Sequence, residues 1–227
     1  MSYLFAPAAV PSIEIVGRLE RFPVHRIYCV GRNYAAHARE MGHDQREPPF
    51  FFMKPADAVV ADRATIPYPS RTANLHHEVE LVTALHSGGR NISVQDAQRH
   101  VFGYAIGNDL TRRDLQSEAR DKSRPWDTAK GFDRSAVVGP IHPIERTGLL
   151  ERGCIWLKVN DELRQQGDLT ELIWSVAEII AELSTYFELT AGDLIFTGTP
   201  AGVGALKSGD RMESGIDGLA TVITTIG

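Results

Sequence analysis

The chain has 227 residues, of which 43% are hydrophobic and 23% charged, and its formal net charge is −5 at pH 7. These values are typical of one globular domain with a filled core. The acidic balance disfavours nucleic acid and membrane surfaces as main partners, because both attract basic patches. Apolar runs are shorter than the roughly 20 residues that span a bilayer, and two early prolines disfavour a signal peptide, so we expect a cytoplasmic protein.

The beginning of the chain carries little periodicity. We predict an N-terminal arm over residues 1–22 and a single domain over residues 23–227. The apolar run Arg26–Gly31 predicts a short buried strand at the start of that domain.

The next segment offers a candidate general base. A short helix is predicted to begin near Tyr34, and on it His37 and Glu40 lie three residues apart. Residues at that spacing share a helix face, so the carboxylate can orient the imidazole for proton transfer near neutral pH. An ordinary surface pair fits the same spacing.

A Glu-Val-Glu segment follows in a strand-like run. Side chains alternate along a strand, so Glu78 and Glu80 project to one face while Val79 and Leu81 point to the other. Two carboxylates about 6–7 Å apart at their bases repel each other, and a divalent cation between them reverses the sign of the interaction. A solvated strand face carries the same pattern.

Two further charged residues stand at element ends. Asp109 follows the strand predicted over Phe102–Asn108 and precedes a helix, where it can act at a site or simply as the helix N-cap. Lys130 can bind a carboxylate or stabilise an oxyanion, and a structural salt bridge is its other possible role.

The remaining elements indicate the fold class. Cys154–Asn160 and Glu162–Gln166 flank an Asn160–Asp161 turn and predict a β-hairpin, and Leu172–Phe187 is the clearest helix. Many short strands and few helices predict an α+β, β-rich domain and disfavour a doubly wound sheet. The glycine-rich turn from Gly198 to Gly204 lacks the lysine and spacing of nucleotide-binding loops.

Together and in this order, the segments resemble the fumarylacetoacetate hydrolase family from about Arg26 to the C-terminus. The motifs that carry the resemblance are Gly31-Arg32-Asn33-Tyr34 with His37 and Glu40, Phe52-Met53-Lys54-Pro55, His77-Glu78-Val79-Glu80, Asn108-Asp109-Leu110-Thr111, Lys130-Gly131-Phe132 and Gly198-Thr199-Pro200. The resemblance implies a mixed β-sandwich roll of the type found in that family, and a homodimer.

The resemblance also implies a set of site residues. One divalent cation per chain, Mg²⁺ or Mn²⁺, would be held by Glu78, Glu80 and Asp109. His37 and Glu40 would activate water. The other implied residues are the catalytic Lys130 and, at the 2-oxo acid end of a small anionic diketo-acid substrate, Arg32, Arg113 and Thr199.

The implied activity is metal-dependent hydrolysis of the carbon–carbon bond of an acylpyruvate. Two segments, 54–58 and 126–133, look most like bacterial members that convert fumarylpyruvate to fumarate and pyruvate in gentisate-type aromatic catabolism. Many relatives carry Ser where this chain has Gly131, so the resemblance indicates the family more firmly than it indicates the acyl group of the substrate. Candidate cations for a distal substrate carboxylate are Arg71, Arg124 and Lys207.

Other functions on the same scaffold stay open at this point. Oxaloacetate decarboxylation and dienedioate isomerisation use the same metal and enolate chemistry. A non-catalytic metabolite binder would have no use for a His–Glu pair beside the metal.

Overall fold

The computed structural model describes residues 2–34 and 47–227. The strands within these ranges are β1 (Ser12–Glu14), β2 (Arg21–Pro23), β3 (Ile27–Gly31), β4 (Phe50–Lys54), β5 (Val59–Val60), β6 (Thr65–Ile66), β7 (Leu75–His77), β8 (Val79–Leu85), β9 (Val101–Asp109), β10 (Thr111–Arg112), β11 (Ala136–Val138), β12 (His142–Pro143), β13 (Cys154–Val159), β14 (Glu162–Asp168), β15 (Leu194–Phe196), β16 (Gly204–Leu206), β17 (Arg211–Ile216) and β18 (Val222–Ile226). The α-helices of the same ranges are α1 (Val94–Ala97), α2 (Arg113–Asp121), α3 (Asp127–Lys130), α4 (Ile144–Thr147) and α5 (Val176–Tyr186). Short 3-10 turns lie at Ala56–Ala58, Gln98–His100 and Leu169–Glu171.

The largest sheet has the strand order β4-β3-β15-β8-β9-β11-β5, with β12 beside β9. It is mixed, because β3 runs parallel to β15 and β5 to β11, whereas β8 and β9 are antiparallel. In the β8–β9 pair, Val79 stands opposite Asn108 and Glu80 opposite Gly107. This register brings the beginning of β8 next to the end of β9.

A second sheet has the order β14-β13-β17-β18-β6. Its first two strands form the predicted hairpin, and the turn residues Asn160 and Asp161 have φ values of 51° and 66°. Positive φ at both central residues is what a two-residue type I′ turn requires, and Asn and Asp tolerate it. Along β13 buried and half-buried residues alternate, so one face of the hairpin packs against the core.

Hydrophobic residues form two clusters. Val79, Leu81 and Leu85 of β8 belong to the larger cluster, and Val82 and Ala84 to the smaller one. Both faces of this strand are therefore covered, and all seven of its residues are buried.

Helix α5 packs against the larger cluster and is shorter than the sequence predicts. It begins after Ser175, whose side chain accepts from the backbone of Glu178 while the Glu178 carboxylate accepts from the backbone of Ser175. This capping box sets the start of the helix. Leu172 and Ile173 therefore precede the helix, and Leu172 packs against the larger cluster.

The hairpin β1–β2 lies in the segment predicted as an N-terminal arm, except for its last residue, Pro23. Its residues Ile13 and Phe22 are buried and belong to the smaller hydrophobic cluster. The domain boundary at residue 23 stays a prediction.

A three-stranded sheet with the order β10-β7-β16 lies next to the start of β8. The strand-rich mixture of sheets and short helices confirms the predicted α+β, β-rich roll. None of the helices in the described ranges combines the length and apolar character that crossing a membrane requires.

Candidate active site

Three carboxylates meet where strands β7, β8 and β9 begin or end. Glu78 lies between β7 and β8, Glu80 is the second residue of β8, and Asp109 is the last residue of β9. The backbone N–H of Asp109 donates to the carbonyl of Glu78 at 2.8 Å, which holds the strand ends together. One oxygen of each carboxylate lies within 4.8 Å of the others. All three residues are buried, so their charges need compensation from neighbouring groups.

Two buried lysines supply part of that compensation. The ammonium of Lys130, at the end of α3, donates to Glu78 Oε2 and to Asp109 Oδ2, both at 2.6 Å. Lys54 lies behind this group, with its Nζ 2.7 Å from Asp109 Oδ1. Its ammonium also donates to the backbone carbonyls of Leu110 and Lys130. Neither lysine side chain is more than 3% exposed.

Arg113, the first residue of α2, provides a third cation. One of its Nη groups donates to Glu78 Oε1 and the other to Gln116 Oε1. Its Nε donates to His76 Nδ1 at 3.3 Å, while His76 Nε2 donates to Asn74 Oδ1 at 2.9 Å. Burial and then the charge of Arg113 lower the pKa of His76 to about 4, so this imidazole is neutral at pH 7.

Neighbouring charged groups shift the pKa values of Glu78 and Glu80 in opposite directions. Burial raises the pKa of Glu78, but the charges and hydrogen bonds of Lys130 and Arg113 outweigh burial and hold that pKa below its usual range. Burial, Asp109 and Glu78 together raise the pKa of Glu80, against only Lys130 and one backbone hydrogen bond. Burial lowers the pKa of Lys130, yet the two carboxylates that it contacts outweigh burial and raise it. Of the two glutamates, Glu80 is therefore the one whose ionised form is less favoured in the absence of a further cation.

The cluster fits a hard divalent cation. Glu78, Glu80 and Asp109 offer carboxylate oxygens, which Mg²⁺ and Mn²⁺ prefer as ligands. Asp109 Oδ1 accepts no hydrogen bond from the described residues, because the nearby Lys54 ammonium does not point at it as a donor. A cation held by these three residues would supply the positive charge that Glu80 lacks.

A buried glutamine supports the site from the second sheet. Gln165 Oε1 accepts from the Val79 N–H at 3.1 Å and from His77 Nδ1 at 2.8 Å. Its Nε2 donates to Thr199 Oγ1 at 2.8 Å and to the Pro200 carbonyl at 2.9 Å. The Thr199 hydroxyl donates in turn to the Val79 carbonyl at 2.8 Å. Gln165 thus ties the strand of the two glutamates to the glycine-rich turn.

The three carboxylates line a cavity of about 240 Å³. We call its buried charged residues the cavity floor: Glu78, Glu80, Asp109 and Lys130. We call four other polar residues that line the cavity, none of them fully buried or paired with a floor carboxylate, the cavity rim: Arg32, Gln116, Ser117 and Arg120. Aromatic walls complete the cavity, and the rings of Phe50 and Trp126 meet edge to face with centroids 5.3 Å apart.

The cavity brings together most of the residues that the sequence singled out. They are Glu78, Glu80, Asp109, Lys130, Arg32, Arg113 and Thr199. Their individual roles stay predictions. His37 and Glu40 lie outside the described residues, as does the predicted helix beyond Tyr34. The alternative for Asp109 as a helix N-cap is wrong, because Arg112 occupies the N-cap of α2.

Several residues at the site were not found from the sequence. Gln165 gives no local signal, because the other residues around it on β14 are mostly exposed and its partners lie far away in the chain. Gln116 and Arg120 follow Arg113 by three and seven residues, and this helical spacing is the signal that would have found them.

The chain matches the model of the fumarylacetoacetate (FAA) hydrolase C-terminal family over residues 26–227. It belongs to that family. Fumarylpyruvate hydrolase from Ralstonia sp is 46% identical over 181 residues, covering 80% of this chain and 94% of that protein. The mitochondrial oxaloacetate tautomerase FAHD1 of Homo sapiens is 42% identical over 196 residues, covering 86% and 89%.

A solved structure is more similar still. The crystal structure of fumarylpyruvate hydrolase from Pseudomonas aeruginosa in complex with Mn²⁺ and pyruvate has a TM-score of 0.97 and 53% identity, and the match covers 99% of each chain. The prediction of the enzyme class, a hydrolase acting on carbon–carbon bonds in ketonic substances, is confirmed. A metal-binding acidic cluster is confirmed as well, at the level of three carboxylates able to hold an ion.

Proposed function

We propose that the protein hydrolyses fumarylpyruvate to fumarate and pyruvate, as a step of gentisate-type aromatic catabolism. The observation that carries the proposal is the cavity floor, where three buried carboxylates lie beside Lys130 and open into a cavity also lined by Arg113. The similarity over 99% of the chain to an enzyme that holds Mn²⁺ and pyruvate supports it.

The substrate's 2-oxo acid end would lie at the cavity floor. When bound by Glu78, Glu80 and Asp109, Mg²⁺ or Mn²⁺ supplies Lewis-acid stabilisation for the enolate character that develops on the pyruvate half. Arg32 and Arg113 supply positive charge to the carboxylate of that half. The Thr199 hydroxyl already donates to a backbone carbonyl, so we assign its share of binding to the backbone N–H, which donates to no described residue.

Hydrolysis then needs a base for water and a partner for the oxyanion. His37, oriented by Glu40, would take a proton from water as its oxygen attacks the distal acyl carbonyl. Lys130 would stabilise the oxyanion at that carbon. The bond between this carbon and the neighbouring methylene breaks, the carboxylic acid of fumarate forms, and the pyruvate enolate takes up a proton.

The test is turnover of fumarylpyruvate by the purified protein with Mg²⁺ or Mn²⁺. Loss of the enol absorbance is followed while pyruvate is assayed in parallel, with and without chelator. We expect chelator-sensitive loss with one pyruvate formed for each substrate consumed. Absence of turnover with both metals would overturn the proposal.

The second candidate is chemistry on oxaloacetate, either decarboxylation or the tautomerisation after which the human relative is named. The 42% identity to that relative over 86% of the chain favours it. Neither reaction needs an attacking water, so each would tolerate loss of the His37 base better than hydrolysis. His37→Ala separates the two candidates: a strong fall in kcat with Mn²⁺ affinity unchanged supports hydrolysis, and retained turnover of oxaloacetate supports the alternative.

We also propose that the protein works as a cytoplasmic homodimer with one divalent cation per chain. Light scattering after size exclusion gives the mass of the assembly, against 25.0 kDa for one chain. Metal analysis of the purified protein gives the identity and number of ions, and anything other than about one Mg²⁺ or Mn²⁺ per chain would contradict this part.

A further inference from the structure

One face of helix α2 forms a polar stripe along the cavity. Arg113, Gln116, Ser117 and Arg120 all line the cavity. They occupy positions i, i+3, i+4 and i+7, which share one face of an α-helix over two turns. Leu115, Glu118 and Ala119 line a different cavity on the other side of the helix.

The two arginines mark the two ends of this stripe. Arg113 contacts the Glu78 carboxylate and therefore lies next to the cavity floor. Arg120 comes seven residues later, which corresponds to about 10.5 Å along the helix axis. Its side chain is 49% exposed, so it stands at the mouth of the cavity.

We propose that Arg120 binds the distal carboxylate of the substrate and so makes the site selective for long dianionic acylpyruvates. This inference rests on the proposed function. Six carbon–carbon bonds separate the two carboxyl carbons of fumarylpyruvate, a span of roughly 7–8 Å when extended. A substrate anchored at the cavity floor thus reaches toward Arg120, whereas the four-carbon oxaloacetate is too short to reach both ends.

Among the cations that line the cavity along α2 and at its floor, Arg120 is placed to bind the distal carboxylate. Arg113 and Lys130 both contact Glu78 at the bottom of the cavity, where the proposed 2-oxo acid end of the substrate lies, and not at its mouth. Within the described part of the chain, Arg120 Nε donates to Oδ1 of the adjacent Asp121 at 3.3 Å. The Asp121 side chain is itself 67% exposed. An exposed pair of this kind is weak and yields readily to a carboxylate ligand.

The cations that the sequence suggested for a distal carboxylate lie elsewhere. Arg71 and Arg124 line the separate cavity beyond α2, together with Glu118, and Lys207 lines neither cavity. The aromatic walls agree with an extended acyl chain at this position, since the Phe50 and Trp126 rings offer flat apolar surface to a conjugated double bond.

The test compares two substrates in four proteins loaded with Mn²⁺, namely the wild type, two Arg120 variants and a control variant. Fumarylpyruvate carries the distal carboxylate and acetylpyruvate lacks it. For Arg120→Met we expect kcat/KM for fumarylpyruvate to fall by about 10–30-fold, mainly through KM, and kcat/KM for acetylpyruvate to change by less than about twofold. Arg120→Lys keeps the charge and should lose less.

Lys122→Met is the matched control. Lys122 follows the same helix and pairs with Glu118 at 2.6 Å, but it does not line the cavity. Its loss removes the same charge and should leave both substrates unaffected. An equal fall for both substrates in Arg120→Met, or no fall, would overturn the proposal.

A wild-type protein that turns over neither substrate would instead contradict the proposed function. Calorimetric binding of the same two compounds then decides the role of Arg120. Preferential binding of fumarylpyruvate that Arg120→Met abolishes supports the role, and equal binding of both compounds by the wild-type protein overturns it.

Discussion

The floor and the rim of the cavity differ in burial and in how tightly their charged residues are paired. The floor residues are at most 5% exposed, and three of the four hold one another in ion pairs of 2.6 Å. The rim residue Arg120 is half exposed and meets an exposed neighbour at 3.3 Å. Buried charges depend strongly on their partners, whereas exposed ones are worth little to stability.

This difference separates the tasks of the two regions. Neutralising Glu78, Asp109 or Lys130 leaves an uncompensated charge in the interior, so the floor suits chemistry shared by many substrates. A rim residue can change at small cost in stability, so the rim suits substrate selection. Substitutions in the floor, in its supporting residues and in the rim test this division.

The largest effect is expected beneath the floor, at Lys54. Lys54→Met removes one of the two buried ammonium groups that contact Asp109, together with the donor to two backbone carbonyls. Breaking a buried pair in this way costs about 3–5 kcal/mol, which should appear as a lower free energy of unfolding in urea. Lys207→Met, at an exposed lysine, is the control and should change little.

The double variant Lys54→Met/Asp109→Asn sharpens the test. It removes both charges of the pair, so its loss of stability should be smaller than that of Lys54→Met alone. A double variant less stable than the single one would show that the Asp109–Lys130 pair contributes more to stability than the Asp109–Lys54 pair.

Glu80→Gln should have opposite effects with and without metal. With Mn²⁺ we expect kcat/KM to fall by at least about 100-fold, because a ligand charge is lost. In chelator the variant should melt at the same or a higher temperature than the wild-type protein. The reason is that burial and the charges of Asp109 and Glu78 raise the Glu80 pKa, so ionising this carboxyl group destabilises the folded protein, and Gln removes that cost.

Calorimetric titration of Mn²⁺ and thermal melts measure the two effects, with Glu162→Gln as an exposed control. Wild-type Mn²⁺ affinity in Glu80→Gln would remove Glu80 from the ligand set.

The sequence predicted most of the floor from local patterns. Strand alternation alone put Glu78 and Glu80 on one face, and Val79 and Leu81 indeed pack in the larger hydrophobic cluster. Asp109 was a candidate because it ends a strand. Lys130 was singled out by its position among turns and by family resemblance, since nothing local distinguishes a site lysine from a structural one.

The supporting contacts could not be predicted in the same way. Lys54 and Asp109 are 55 residues apart in sequence, and their contact depends on strand order across the large sheet. Gln165 reaches Val79 from a different sheet, 86 residues away. No periodicity within a strand encodes such pairings, whereas the α2 stripe follows directly from helical spacing.

Gln165 tests whether the floor depends on its support. Gln165→Met removes both acceptor and donor contacts at a residue that is 1% exposed, leaving buried polar groups of Val79 and Pro200 unpaired. We expect a loss of about 2 kcal/mol in the free energy of unfolding and weaker Mn²⁺ binding. Gln166→Met, one position along and exposed, should stay within about 0.5 kcal/mol. Equal effects of the two substitutions would contradict the support role.

The smallest effect on stability is expected at the rim, at Arg32. Its guanidinium lies 5.5 Å from the centre of the Phe50 ring, and its backbone φ is 59°. Arg32→Met should raise KM about fivefold, near 1 kcal/mol, with the melting temperature almost unchanged. Arg32→Gly removes the same charge and relieves the left-handed backbone, so equal KM values for both variants would assign the effect to charge.

Arg63→Met, at an exposed arginine with a φ of 63° outside the cavity, should leave KM unchanged. A large loss of stability in Arg32→Met would contradict this assignment. It would show that other charged groups depend on Arg32 for compensation, as in the floor.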